Sequence, residues 1–164
     1  MGSRGNAFTT RHAAIGMRLV PIMAALLLML PVSTVQAAVP LGVHFDVQTT
    51  FADPSHGPFV AIGPAVDQGL MCGEGDTVDL SVKPAGEASS VGFSLQVLKQ
   101  FTCADGSGSF VLKLQVRIDF DRGGSASWKV MSGTGAYERL HGAGDGYGVP
   151  ADYGVNDLLF GTVH

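Results

Sequence analysis

Along residues 110–120 apolar and polar side chains alternate without a break. Phe110, Leu112, Leu114, Val116, Ile118 and Phe120 form one set, and Val111, Lys113, Gln115, Arg117 and Asp119 form the other. A period of two with one apolar side predicts a half-buried antiparallel strand. Residues 91–102 repeat the pattern through Val91, Phe93, Leu95 and Val97, then blur at Leu98-Lys99. Between the two segments, Ala104-Asp105-Gly106-Ser107-Gly108 is a Gly-rich tight connection, so the pair predicts a long hairpin.

Shorter stretches obey the same rule. Val43, Phe45 and Val47 alternate with His44, Asp46 and Gln48. Val78, Leu80 and Val82 alternate with Thr77, Asp79, Ser81 and Lys83, and Ala126, Trp128 and Val130 alternate with Ser125, Ser127 and Lys129. Further strands are expected over 65–72, 141–149 and 157–163, and one helical turn near 136–140. Asp-Pro, Gly-Asp, Pro-Ala-Gly and Asp-Arg-Gly-Gly segments punctuate the strands with turn chemistry. Some eight strands without a long helical period predict an all-β, antiparallel, closed or nearly closed barrel, with a β-sandwich as the runner-up. Closure is favoured because long strands with open edges invite pairing with other chains. Phe45, Phe93, Phe110, Phe120 and Trp128 are the candidate barrel-lining residues.

The first part of the chain reads differently. Arg4, Arg11 and Arg18 precede an uncharged apolar run from Leu19 to Val32, and Val35-Gln36-Ala37 follows it with the small side chains a signal peptidase accepts. Residues 1–37 are therefore expected to be a helical secretory signal peptide cleaved near Ala37. The run is shorter than the ~20 residues of a membrane-spanning helix, so no stable membrane insertion is expected after cleavage. Met17, directly before Arg18, is a second candidate initiator beside Met1. Residues 38–164 are then a single barrel domain. All 14 acidic residues but only seven of the ten Lys and Arg lie beyond residue 37, giving that part a net charge of −7. Such a surface offers no footprint for nucleic acid.

Cys72 and Cys103 are the two cysteines. An even count in an exported domain reads as one disulfide, which in the chain-entropy model contributes about 3.5 kcal/mol. Their spacing fits neither a thioredoxin-like redox site nor a metal site, and no pair of histidines has ligand spacing. Gly133-Thr134-Gly135 lacks the third glycine of a dinucleotide loop and the lysine of a P-loop, so no cofactor is implied. No serine stands at nucleophile-elbow spacing.

The run from Trp128 to Gly144 contains Gly133-Thr134-Gly135, then Tyr137 and Leu140, then His141-Gly142-Ala143-Gly144. It resembles the segment of Gly-Thr-Gly, an aromatic residue and a small residue with Gly found in the dirigent and allene oxide cyclase barrel superfamily. Cys103-Ala104-Asp105-Gly106-Ser107-Gly108 is similar to a segment of small secreted bacterial proteins of that barrel type. The resemblance implies an antiparallel eight-stranded barrel, often oligomeric, whose plant members steer cyclisation or radical coupling of apolar substrates. The polar and acidic lumen residues those activities use do not map one by one onto this chain. On the residues alone, Gly133, Thr134, Gly135, Tyr137 and Gly142 make a barrel-end motif: glycines at a strand exit, an aromatic plug, and a bend into the next strand.

Fold alone does not carry activity. The reading is a binding or interaction module without catalytic machinery, its partner a small apolar ligand held in the barrel. Two alternatives stand beside it: an isomerase or cyclase acting on an apolar substrate in the lumen, and a surface or structural factor. The enzyme reading needs a polar group facing the lumen, for which Lys99, Tyr137 and Tyr147 are the candidates.

Overall fold

In the computed structural model, which describes residues 39–164, the alternating segments become eight antiparallel strands in chain order. They are β1 (Leu41–Thr50), β2 (His56–Ile62), β3 (Glu74–Pro84), β4 (Gly92–Cys103), β5 (Gly108–Asp119), β6 (Gly123–Gly135), β7 (Gly142–Ala151) and β8 (Gly154–Val163). Each pairs with its neighbour, and β1 pairs with β8 from Leu41↔Val163 to Thr50↔Gly154, so the ring closes. Closure excludes the sandwich. The expected leader over 1–37 lies outside the described residues.

Two segments depart from the pattern-based expectation. The strand expected over 65–72 is instead a short helix, α1 (Pro64–Asp67), followed by a turn, and the second strand lies earlier at His56–Ile62. Pro64 suits a first helical turn, where its missing N–H costs nothing, and Ala65 accepts bonds from the amides of Leu70 and Met71. The true β2 hid because its outer side is also apolar: Val60 and Ile62 face outward beside inward Phe59 and Ala61. Its run therefore shows no period of two.

The second departure is a reversal of sides. On β3 the polar set, not the apolar one, faces inward: Thr77 pairs with buried Phe101, and Asp79 with buried Lys99. Leu80 is consequently exposed. A bulge between Asp79 and Ser81 then shifts the register, bringing Val82 opposite Val97.

The two ends of the barrel differ. At the base, Phe45, Phe59, Phe101, Phe110 and Trp128 fill the lumen. Phe101 stacks on Phe110 at 4.9 Å, while Phe59 meets Phe101 and Trp128 meets Phe45 edge to face. Below them α1, the β4–β5 turn and the β6–β7 connection close the end. The disulfide Cys72–Cys103, with Cα atoms 6.0 Å apart, ties the segment after α1 to the end of β4. The opposite end, called the mouth, carries the β1–β2, β3–β4, β5–β6 and β7–β8 connections.

Candidate functional site

Above the aromatic floor the side chains shorten and the lumen opens into a cavity of about 390 Å³. Its walls are Val97 on β4, Leu114, Val116 and Ile118 on β5, and Val155 and Leu159 on β8, with Gly124 and Ala126 on β6 and Gly148 on β7 leaving space. A concave, mostly apolar site with a few converging polar groups is the usual form of a small-molecule site.

The charged groups come from three strands. Lys99 continues the inward series of β4, between Val97 and Phe101, and is 5% exposed. Its Nζ lies 2.6 Å from Asp79 Oδ1 across the β3–β4 pair. Leu98, which blurs the alternation in the sequence, is simply on the outer side. Asp157 on β8 continues another inward series, Val155, Asp157, Leu159. Burial holds its carboxyl above the usual 3.8; the Lys99 charge pulls it down, the Asp79 charge pushes it up, and a hydrogen bond with the Thr49 side chain lowers it. The cavity thus joins an apolar wall to a buried ion pair and a second carboxyl group.

The residues singled out from the sequence fall in three places. Phe45, Phe110 and Trp128 belong to the base, with Trp128 Nε1 donating to the carbonyl of Asp145 at 3.2 Å. Phe93 and Phe120 do not line the core. Phe120 lies past the end of β5, 61% exposed, and packs on half-buried Phe93 at the mouth. The turn bends the chain outward before a sixth inward position on β5 is reached.

The barrel-end motif closes the base. Tyr137 is 3% exposed, sits edge-on to Phe110, and its hydroxyl lies 2.8 Å from Ser107 Oγ and 3.3 Å from Cys103 Sγ. Ser107 donates to Asp105 Oδ1 at 2.6 Å, so its oxygen is free to accept from Tyr137. Ser109 Oγ and Thr134 Oγ1 meet at 3.0 Å. Gly135 has φ +60°, as expected of a strand exit. Gly133 has no such angle and serves instead for close approach, because a Cβ there would meet Tyr137. Gly142 faces Val163 in the same tight manner.

Of the three candidates for a lumen group, Lys99 faces the cavity and Tyr137 the base. Tyr147 is among the residues that border the cavity, but it packs on outward Phe160 and is about half exposed. Asp79 and Asp157 were not singled out in the sequence. The signal was present for Asp157, an acid inside an apolar period-two series. For Asp79 it was concealed by the reversal of β3.

No family model and no curated protein matches the chain. Among solved structures, that of a pterocarpan synthase dirigent protein is similar at 16% identity, over 92% of this chain and 97% of that one, with a TM-score of 0.35. Among the described residues, no helix is long and apolar enough to cross a membrane.

Proposed function

We propose that the protein is an exported barrel of the dirigent and allene oxide cyclase kind that binds a small, largely apolar molecule in the mouth half of its lumen. The observation that carries this reading is the division of the barrel, with a solid aromatic base below and a cavity of about 390 Å³ above. Side chains alone can fill an eight-stranded barrel. Small residues at Gly124, Ala126 and Gly148 leave this one hollow in the half that opens to solvent. The buried disulfide supports export, since such bonds persist in oxidising compartments.

Native mass spectrometry of protein purified from its own host, before and after organic extraction, tests the reading. The expected result is a mass excess that extraction removes. Protein that arrives empty and leaves the line positions of Val97, Leu114 and Leu159 unmoved in NMR titrations with apolar compounds overturns it.

A second reading is favoured by the pair of carboxyl groups beside Lys99. A carboxyl whose proton is held by burial is suited to general acid chemistry, so an isomerase or cyclase acting within the same cavity is the alternative. Conversion of a bound molecule, abolished by Asp157→Asn, would favour the enzyme over the carrier.

A further inference from the structure

The charged groups lining the cavity do not balance. Among the described residues that line it, Asp79 and Asp157 are the acids and Lys99 the base. Lys99 is held at 2.6 Å by Asp79. Among the described residues, Asp157 has no cation of its own within ion-pair distance. Its neighbours on β1, Val47 and Thr49, and on β7, Gly148, carry no charge. Across the lumen it faces the Asp79–Lys99 pair, and the remaining walls from β5 and β6 are uncharged. A carboxylate in apolar surroundings is costly unless paired. With all three groups ionised, the lining carries one negative charge more than it does positive.

The mouth carries a complementary pattern. Each of its four connections, residues 51–55, 85–91, 120–122 and 152–153, contributes one exposed large apolar side chain: Phe51, Val91, Phe120 and Tyr153. Each also contributes one exposed acid, Asp53, Glu87, Asp121 and Asp152, against the single base Arg122. Acids occur in the turns at the base too. Exposed large apolar side chains do not occur in those base connections, so the combination belongs to the mouth. Negative potential at a cleft raises the local concentration of cations and lowers that of anions.

We infer that the ligand is an apolar amine, whose ammonium group pairs with Asp157 while its hydrocarbon body fills the cavity. This rests on the reading of the cavity as a ligand site and names the chemical class it selects. Burial holding the Asp157 proton agrees with a carboxyl waiting for a cation. Where Asp157 is protonated in the empty barrel, binding the ammonium ion releases that proton to solvent, so charge and protons balance. Affinity then rises with pH through the Asp157 titration.

The test is calorimetric titration of the purified protein with three compounds on one skeleton: 1-naphthylmethylamine, 1-naphthalenemethanol and 1-naphthoate. Near neutral pH the amine is expected to bind about tenfold more tightly than the alcohol, the gain of a charge-assisted bond, and the carboxylate not measurably. In Asp157→Asn, whose fold is checked by thermal denaturation, the amine should fall to the level of the alcohol while the alcohol is unchanged. An alcohol that binds as well as the amine, or an amine preference that survives in Asp157→Asn, overturns the inference and leaves the cavity reading intact. Tightest binding of the carboxylate also overturns it, assigning recognition to Lys99. If none of the three binds, both readings fall.

Discussion

Asp157 is the residue at which the proposed ligand role and stability oppose each other. Its folded carboxyl holds a proton more firmly than the unfolded one, chiefly through burial. Between the two titration points the native state therefore binds more protons, and stability is lost as pH rises. The contribution is fully present below the unfolded value and gone once pH has passed through the raised folded one. Asn mimics the protonated acid, so Asp157→Asn should be more stable than the parent at mildly alkaline pH and indistinguishable below pH 3.8. Urea denaturation across that range measures the difference, whose slope for one proton stays under about 1.4 kcal/mol per pH unit. Equal stability of the two proteins throughout would mean that the carboxyl is solvated. The Asp79–Lys99 pair behaves otherwise, because each partner compensates the other. Lys99→Met alone leaves a carboxylate 12% exposed without its cation and should cost about 3–5 kcal/mol. The double change Lys99→Met with Asp79→Leu should recover most of that loss, which the same denaturation curves report.

At the level of single strands, the alternation was read correctly in β1, β5 and β6, where the apolar side is the one that faces the lumen. It misled where an ion pair or a hydrogen bond to a neighbouring strand placed a polar residue on the inner side. In β3 the inward positions are Thr77, whose hydroxyl donates to the Gly57 carbonyl at 2.9 Å, and Asp79, compensated by Lys99. No single-strand pattern discloses a partner on the neighbouring strand, so polar residues read as outward. Lys99 looked like a defect in β4 for the same reason. The candidate site was thus visible only as irregularities, while the scaffold was visible as regularity. The glycines of β7 and β8 show a further limit: their abundance was plain, but their task depends on what crosses them. Trp128, Gly144 and Gly161 stand in register across β6, β7 and β8. A Cβ on Gly161 would come within 2.6 Å of Trp128 Cζ2 and would also strike the Ala143 carbonyl. Gly161→Ala should therefore destabilise the barrel by about 1–3 kcal/mol through overpacking. A paired change to Trp128→Phe, which withdraws the atom in the way, should recover part of it in thermal melts. Non-recovery would place the strain on the backbone alone.

Across the whole barrel, the same eight strands run through two environments. Toward the base they enclose stacked and edge-to-face aromatic rings, the Tyr137–Ser107–Asp105 chain of hydrogen bonds and the disulfide. Toward the mouth they enclose space and a few charges. Buried apolar contact sets the free energy of local opening, so one continuous hydrogen-bonded sheet should carry a gradient of stability along the barrel axis. Amides at the base ends of strands, such as those of Phe45, Phe101, Phe110 and Val163, should exchange with deuterium only through global unfolding. Those at the mouth ends, such as Thr49, Val97, Ile118 and Val155, should exchange through smaller openings and respond less to the disulfide. Reduction removes a constraint on the denatured chain worth about 3.5 kcal/mol, so it should accelerate exchange at the base by roughly two to three orders of magnitude. Mouth amides that already open locally should change far less. A bound ligand should act in the opposite sense, slowing the mouth ends first until both halves open together. Uniform exchange along every strand, before and after reduction, would mean that the cavity does not weaken the sheet around it. The hollow half would then be as rigid as the filled one, and a preformed site rather than one that closes around its ligand.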